Sequence, residues 1–184
     1  MGRIQLPEKA KLFIGIISTS QELILRSRPV LEDLWGPVDL ESEFIPFDQT
    51  LYYEKEMGSP LLKKFYCFRD LIRREEIVGI KIKTNELETT LKLHPEKEGR
   101  DINLDPGYLT LVNVTLATTK DYRHRIYLDR GIYLENTLYY DAKKKSYSGW
   151  DWTYPDFRRD DYLTFFNTVR ETYKSQLQPG EEDE

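Results

Sequence analysis

The feature that most constrains the fold is an almost continuous apolar run over residues 11–18, Lys-Leu-Phe-Ile-Gly-Ile-Ile-Ser. A run of this length and composition is typical of a central strand that is buried on both faces. The hydroxyl side chains of residues 18–20 come next and can cap the N-terminus of a helix. We therefore predict a buried strand followed by a helix over residues 21–34.

A second strand is predicted over residues 38–47, and it sets the class of the fold. Gly36 and Pro37 end the preceding helix, and Pro29 is expected to bend or break it. Strand, helix and strand in that order are typical of a βαβ or ferredoxin-like opening. We therefore predict a single-domain α+β protein in which helices pack on a mixed or antiparallel sheet.

The rest of the chain continues this pattern without a linker. Further elements are predicted from hydrophobic spacing: helices over residues 75–93 and 160–177, and strands over residues 108–117 and 131–140. Residues 61–72 could form either a helix or a strand, and residues 141–149 are predicted to form a basic, flexible loop. Residues 1–177 are expected to form the domain, and residues 178–184 a disordered acidic tail.

Charge and cysteine content exclude several classes of function. With 27 basic and 32 acidic residues the net charge is −5, which argues against general nucleic-acid binding. The single cysteine, Cys67, excludes an intrachain disulfide or a cysteine-based zinc cluster, and its aromatic neighbours predict a small buried side chain. The sequence has no signal-peptide pattern and no apolar run of membrane-spanning length. We therefore expect a cytoplasmic protein with no membrane partner.

One polar stretch, residues 117–127, separates two predicted strands and is the leading candidate site. A plain hairpin needs little more than a turn, whereas this stretch concentrates hydroxyl, cationic, carboxylate and imidazole groups. Arginine presents a two-pronged donor to oxyanions, so we expect an anionic ligand here. The predicted ligand-binding residues are Thr118, Thr119, Lys120, Arg123 and Arg125, with Asn103 and Asp105 from a preceding segment. The alternative is a surface loop of ion pairs that each contribute little stability.

His124 is the predicted proton carrier of this site, and Asp121 is expected either to orient it or to neutralise an arginine. In a regular strand, Arg123 and Arg125 would share one face and His124 would lie on the other. The arginines and the histidine would therefore act together only where the backbone is irregular.

Two further segments have both a structural and a functional interpretation. Residues 103–108, Asn-Leu-Asp-Pro-Gly-Tyr, have the composition of a turn, and a turn before a strand can also aim Asn103 or Asp105 into a cleft. Residues 150–157, Trp-Asp-Trp-Thr-Tyr-Pro-Asp-Phe, could stack on a base or hold a sugar. The favoured interpretation of residues 150–157 is that their rings pin the terminal helix to the sheet.

Alternating acids over residues 39–43 give a candidate metal site. Asp39, Glu41 and Glu43 would lie on one face of a strand, where like charges favour a cation, either a divalent metal or basic side chains on the next strand. Glu41 and Glu43 are therefore the predicted ligands of a divalent metal, the cofactor that this pattern suggests. The favoured alternative is a solvated edge strand whose charges prevent aggregation.

Several motifs resemble one known family along nearly the whole chain. They lie at residues 11–17, 39–43, 53–58, 83–88, 103–109, 118–128 and 152–157. The family that they resemble is a prokaryotic domain of unknown function, numbered 4416, some members of which are automatically labelled GTP-binding protein. The resemblance implies no activity. The residues argue against a Ras-type GTPase, because the first strand is followed by Ser-Thr-Ser-Gln and not by a glycine-rich phosphate loop with its lysine.

The predicted function is binding of a phosphorylated or otherwise anionic small molecule, with or without hydrolysis or transfer of a group. The alternative, from a different class, is a non-catalytic interaction or assembly module whose tyrosines and tryptophans form an interface. Clustering of basic and hydroxyl groups in one segment favours the first. The sequence specifies neither a substrate nor an oligomeric state.

Overall fold

A nine-stranded antiparallel sheet with helices on both faces organises the chain in its computed structural model, which describes residues 2–48, 53–93, 95–96 and 98–178. The strands are β1 (Ala10–Ser18), β2 (Val38–Glu41), β3 (Ile45–Pro46), β4 (Leu62–Ile72), β5 (Ile102–Leu109), β6 (Asn113–Thr118), β7 (Arg125–Asp129), β8 (Ile132–Asp141) and β9 (Ser146–Gly149). The helices are α1 (Gln21–Trp35), α2 (Glu54–Met57), α3 (Ile77–Thr90) and α4 (Asp160–Leu177), with 3₁₀ turns at Arg74–Glu76 and Pro155–Arg158. The predicted α+β class is confirmed.

The first half of the chain has the strand order of a ferredoxin-like unit. The sheet order is β2-β4-β1-β5-β6-β8-β7, with β3 paired to β4 and β9 paired to β8. β4 lies between β1 and β2 and is antiparallel to both, so it splits the opening βαβ unit. α3 then leads to β5 on the other side of β1. This order confirms the predicted ferredoxin-like opening, which strands β6 to β9 extend.

β1 lies at the centre of the molecule because helices cover both faces of the sheet. Every residue from Ala10 to Ser18 is buried. On one face, Leu12 belongs to an apolar cluster completed by α1 and α3. On the other, the Phe13 ring packs edge-on against Phe166 of α4, with 5.0 Å between ring centroids. Burial on both faces explains why the sequence of this strand is continuously apolar.

α1 is continuous through Pro29, so Pro29 does not break the helix, which was one of its two predicted effects. Proline lacks the N–H that would donate to the carbonyl four residues earlier, that of Leu25. Leu25 and Pro29 both lie on the exposed side of the helix, where water can satisfy that carbonyl. The predicted cap is confirmed, because Ser20 Oγ accepts a hydrogen bond from Leu23 N at 3.2 Å.

The strand predicted over residues 38–47 is divided into β2 and β3, and Ser42 lies at the division. Its hydroxyl accepts a hydrogen bond from Phe65 N at 2.9 Å, and its N–H donates to Phe65 O at 3.0 Å. A side-chain oxygen thus takes the place of a backbone acceptor and interrupts the ladder. The ambiguous residues 61–72 form β4 almost in full.

The remaining boundaries agree with the prediction in part. α3 ends at Thr90, because Leu91 leaves the helical conformation with ψ 84°. The prediction of a flexible loop over residues 141–149 is wrong for its second half, because residues 146–149 form β9 and pair with β8. α4 has the predicted bounds, and residues 179–184 of the predicted acidic tail lie outside the described residues.

Candidate functional site

The sheet forks between β5 and β6. The two strands pair only over residues 107–109 and 114–116, so the first half of β5 has no strand partner on this side within the described part of the chain. Side chains of α3 replace it: Glu88 Oε1 accepts a hydrogen bond from Leu104 N at 2.7 Å, and Lys81 Nζ donates to Leu104 O at 3.0 Å. Buried backbone groups need such partners. α3 therefore stabilises an open strand edge inside the sheet.

Residues 103–108, predicted as a turn, lie within β5, so the turn prediction is wrong. Pro106 has no N–H to offer a neighbouring strand, which is tolerated because the ladder to β6 begins one residue later. Gly107 is required there for space, since an added Cβ would lie 2.1 Å from Thr115 O. The turn-forming residue types therefore mark the point where the sheet forks.

A cavity of about 640 Å³ fills the fork. It is lined by six of the seven predicted ligand-binding residues: Asn103, Asp105, Thr118, Thr119, Lys120 and Arg125. Asn103 and Asp105 come from β5, whereas Thr118 ends β6, Thr119 and Lys120 lie in the loop that follows it, and Arg125 begins β7. Two segments that are separate in the sequence thus meet at one cavity, whose volume is within the usual range for small-molecule sites.

Among the described residues, five cationic and four acidic side chains line the cavity: Lys63, Lys81, Arg100, Lys120 and Arg125, and Glu88, Asp105, Glu135 and Asp156. Four N–O distances join them in pairs: Lys63–Asp156 (2.8 Å), Lys81–Asp105 (3.8 Å), Arg100–Glu88 (2.8 Å) and Arg125–Glu135 (2.9 Å). Buried charges need such partners. The walls therefore present fixed charges of both signs to the interior.

Residues 154–157 line one side of the cavity, called the roof below, and Lys63 holds them in place. Its side chain is buried, and its Nζ donates to Asp156 in the 3₁₀ turn Pro155–Arg158 at 2.8 Å. The ammonium also lies within 4.5 to 5.3 Å of four ring centroids, those of Phe47, Phe65, Phe157 and Tyr162. Cation–π contacts in a desolvated place stabilise the charged form. The ion pair between Lys63 and Asp156 therefore holds the 3₁₀ turn that precedes α4 against the cavity.

Arg100 joins three parts of the chain at the β5 wall. It forms a bidentate pair with Glu56 of α2, with both N–O distances 2.9 Å, and its Nη1 donates to Glu88 (2.8 Å) and to Asn103 Oδ1 (2.9 Å). Its hydrogen bonds to Glu56 are the main cause that raises the pKa of Arg100. Burial raises the pKa of Glu88, and the nearby Lys81 acts in the opposite direction.

Glu135 is the buried acid of the opposite wall. Its Oε2 accepts a hydrogen bond from Arg125 Nε at 2.9 Å and lies 3.2 Å from His124 Nε2. Arg125 also donates to the Lys120 carbonyl (3.0 Å) and to the Tyr154 hydroxyl (2.8 Å). Arg125 thereby ties the polar loop after β6 to β8 and to the cavity roof.

Three predicted residues, Asp121, Arg123 and His124, do not line the cavity. Arg123 is exposed and lies in a turn closed by a hydrogen bond from Arg125 N to Tyr122 O at 2.9 Å. β7 begins only at Arg125, so the prediction that the two arginines share a strand face is wrong. The irregular backbone of this turn decides the directions of these side chains.

The carboxylate beside His124 is Glu135, not Asp121 as predicted. The imidazole is half-buried and stacks on Trp152, with 5.7 Å between ring centroids. Asp121 lies beside Tyr133 instead, where desolvation and then this carboxylate raise the pKa of the phenol. His124 therefore belongs to a packed surface cluster next to the cavity.

The two predicted metal ligands lie away from the cavity. Glu41 ends β2 and pairs with Arg28 (3.3 Å) and Lys64 (3.2 Å), whereas Glu43 lies beyond the strand and is exposed. Lys64 lies on β4, the strand next to β2, so Glu41 has the basic partner that was the predicted alternative to a metal. Within the described ranges, no three His, Cys, Asp or Glu side chains are grouped to hold a metal ion. The metal site stays a prediction.

Arg100 and Glu135 line the cavity but were not predicted from the sequence, and Lys81 was predicted only as a possible cation for phosphate binding opposite the acidic strand. Glu135 had a signal, since it is an acid inside the apolar strand predicted over residues 131–140. Lys81 had one too, because it follows Ile77 by four positions on the apolar side of α3. Arg100 had none, because its place depends on contacts with α2 and α3.

Cys67 is fully buried in β4, as predicted. Burial raises the pKa of its thiol, which keeps the side chain neutral. The side chain therefore serves packing in the cluster beneath α4.

The fold and the cavity define an α+β protein in which a ferredoxin-like unit is extended into a forked sheet. The chain belongs to the family described as Domain of unknown function (DUF4416), whose model matches residues 8–173, and the predicted resemblance is confirmed. No curated protein and no solved structure matches the chain. In the part of the chain that is described, none of the helices has the length and apolar character needed to cross a membrane.

Proposed function

We propose that this protein binds a small molecule with an anionic group in the cavity between β5 and β6. The observation that carries the proposal is the lining of that cavity, in which cationic side chains outnumber acids and the hydroxyls of Thr118 and Thr119 add neutral donors. Charge-assisted hydrogen bonds from such groups are the strong contacts available to a phosphate or carboxylate. Rigid strands on both sides hold these donors in place.

The anionic group is assigned to the end of β6. Thr119 and Lys120 are exposed and line the cavity, so a ligand can reach them from solvent. Thr118 Oγ1 accepts a hydrogen bond from Lys120 N at 3.2 Å, and Arg125 holds the Lys120 carbonyl at 3.0 Å. The loop is therefore ordered before a ligand arrives, which lowers the entropy cost of binding.

Replacing Lys120 with alanine is expected to weaken binding of anionic ligands without unfolding the protein. A ligand at about a hundred times its dissociation constant stabilises the folded state by roughly 2.7 kcal/mol, which is several degrees in Tm for a chain of this size. The measurement is thermal unfolding against inorganic phosphate, nucleotides, phosphorylated metabolites and carboxylic acids. The shift seen in the wild type should shrink strongly in the variant.

The control is Lys143→Ala, which removes an exposed lysine in the turn between β8 and β9, outside the cavity lining. It should keep the full ligand-dependent shift. A wild-type protein that no anion stabilises would contradict the proposed function. If the ligand-dependent shift in Tm shrank equally in Lys120→Ala and Lys143→Ala, it would reflect the overall charge of the protein and not this cavity.

Catalysis is not part of this proposal. His124, the predicted proton carrier, does not line the cavity, and its Nε2 lies 3.2 Å from Glu135 Oε2. The proposal is therefore restricted to binding.

A second candidate function, assembly into a dimer, is favoured by the exposed edge of β7. Ile126 is 70% exposed and Tyr127 is 56% exposed, and Leu128 also reaches solvent. β7 pairs with β8 on one side, and no strand among the described residues covers the other. In an antiparallel pair centred on Tyr127, Ile126 of one copy would face Leu128 of a second, so the apolar pattern is complementary to itself.

The substitution Ile126→Lys tests this alternative. It is expected to convert a dimer into a monomer, because two lysines would have to be buried at the paired edge. Light scattering after size-exclusion chromatography measures the mass. Leu25→Lys is the matched control, since Leu25 is 51% exposed on α1, far along the chain from β7. A wild-type protein that stays monomeric at every accessible concentration rejects assembly through this edge.

A further inference from the structure

We propose that the anion bound in the fork cavity is a hydroxylated one, of the sugar-phosphate class, and that Asp105 and Asn85 recognise its hydroxyl groups. This inference rests on the proposed function and adds to it the uncharged part of the ligand. It follows from the difference between the two walls of the cavity.

The walls differ in the hydrogen bonds they offer. The end of β6 and the loop after it contribute the hydroxyls of Thr118 and Thr119 and the ammonium of Lys120. The opposite wall contributes the carboxylate of Asp105 from β5 and the carboxamide of Asn85 from α3. The other charges of both walls are held in ion pairs: Lys81 with Asp105, Arg100 with Glu56 and Glu88, and Glu135 with Arg125. The ammonium of Lys120 is exposed, so the charged end of the ligand belongs beside it and the neutral part belongs beside Asp105 and Asn85.

Asp105 keeps its full capacity to accept hydrogen bonds. The nearest cation is Lys81, whose Nζ is 3.8 Å from Oδ1, beyond hydrogen-bond distance. The carboxylate makes no hydrogen bond within the described part of the chain, and its side chain is 29% exposed. An ionised carboxylate accepts and cannot donate. A ligand must therefore bring donors to this wall, and hydroxyl groups are such donors.

Asn85 complements Asp105. It is half-buried on α3 and lines the cavity, and its side chain makes no hydrogen bond with other described residues. Its carboxamide both donates and accepts. A hydroxyl can donate to a carboxylate while it accepts from an amide, so the two side chains together suit a ligand with several hydroxyls.

Two buried atoms on opposite walls also lack partners among the described residues. They are Asn103 Nδ2, a donor, and Glu135 Oε1, an acceptor, and both side chains line the cavity. Buried polar atoms without a hydrogen bond cost free energy. A ligand whose groups both donate and accept can serve the two atoms, whereas a bare anion, which mainly accepts, can serve only the first.

The roof supplies an apolar surface for the carbon skeleton. Phe157 and Tyr154 line the cavity beside Leu116 of β6. Aromatic rings offer broad apolar contact with a polar tip in the case of tyrosine. A sugar ring has the matching combination of C–H surface and hydroxyl edge.

The experiment compares inorganic phosphate, ribose 5-phosphate, glucose 6-phosphate and glucose, titrated by calorimetry into the wild type and into Asp105→Ala. In the wild type, a sugar phosphate is expected to bind more tightly than inorganic phosphate. Asp105→Ala should weaken the sugar phosphate about tenfold or more, because hydrogen bonds to a charged acceptor are lost. The same variant should bind inorganic phosphate as well as or better than the wild type, since a repelling charge is gone. Asp129→Ala, in β7 and outside the lining, should change neither.

The outcomes separate this inference from the proposed function. Equal affinity of the wild type for phosphate and for both sugar phosphates would overturn the assignment of hydroxyl recognition and leave anion binding standing. Equal weakening of phosphate and sugar phosphate by Asp105→Ala would also overturn it, because Asp105 would then only support the site. Failure of every anion to bind the wild type would remove the proposed function, and this inference with it.

Discussion

Replacing Gly107 with alanine is expected to destabilise the protein by about 3 kcal/mol or more, at the upper end of the cost of overpacking. An added Cβ would lie 2.1 Å from Thr115 O and 2.5 Å from Phe13 Cζ. The first atom belongs to the backbone of β6, and the Phe13 ring is held against Phe166. Neither neighbour can move without disturbing the short ladder that joins β5 to β6 or the core beneath α4.

Denaturant or thermal unfolding measures this effect. For a chain of this length, 1 kcal/mol corresponds to about 2–4 °C in Tm, so a fall of roughly 6–12 °C is expected. Gly79→Ala is the matched control, because a Cβ there would meet only Arg130 Nη2 at 3.8 Å. Alanine favours a helix by up to about 1 kcal/mol over glycine, so this variant should be as stable as the wild type or more stable. An unchanged Tm for Gly107→Ala would contradict the close approach of the two strands.

Removing the Glu135 side chain is expected to cost about 3–5 kcal/mol, the usual loss when one partner of a buried ion pair is deleted. The side chains of Glu135 and Arg125 are 2% and 7% exposed, and the carboxylate also contacts His124. In Glu135→Ala the guanidinium would stay buried without its carboxylate. Anion binding should also weaken, because Arg125 holds the Lys120 carbonyl that shapes the cavity mouth.

Glu135→Gln separates charge from hydrogen bonding. Its carbonyl oxygen can still accept from Arg125 and His124, so it should cost less than Glu135→Ala. The surface control is Glu86→Ala, which removes an exposed pair with Lys83 at 3.0 Å and should cost less than about 1 kcal/mol. The measurement is the free energy of unfolding in denaturant. Equal losses for Glu135→Ala and Glu86→Ala would show that the buried pair contributes no more than a surface pair.

The elements that sequence predicts well are those with strong periodic patterns. The apolar run at residues 11–18 is the central strand β1, and the helical spacing of residues 160–177 is α4 with the predicted bounds. Ser20 caps α1 as its position predicts. These patterns are local, so each window of sequence contains the information that it needs.

Predictions based on breakers and turn residues were less successful. Pro29 does not interrupt α1, because its missing hydrogen bond falls on the solvent side of the helix. Pro106 and Gly107 lie inside β5. The missing N–H of Pro106 is tolerated there because β5 pairs with β6 only from Gly107 onward. In both cases the environment of the backbone decided the effect of the residue.

The sequence by itself determined the α+β class, the central strand, the family and the two polar segments that meet at the cavity. Only the tertiary structure decided that the sheet forks, and that Lys81, Arg100 and Glu135 complete the walls. The physical reason is separation along the chain: the pair that fixes the roof joins Lys63 to a residue 93 positions away. Periodicity reports which side of its own element a residue occupies, whereas the partner of a buried charge is chosen by how the elements pack.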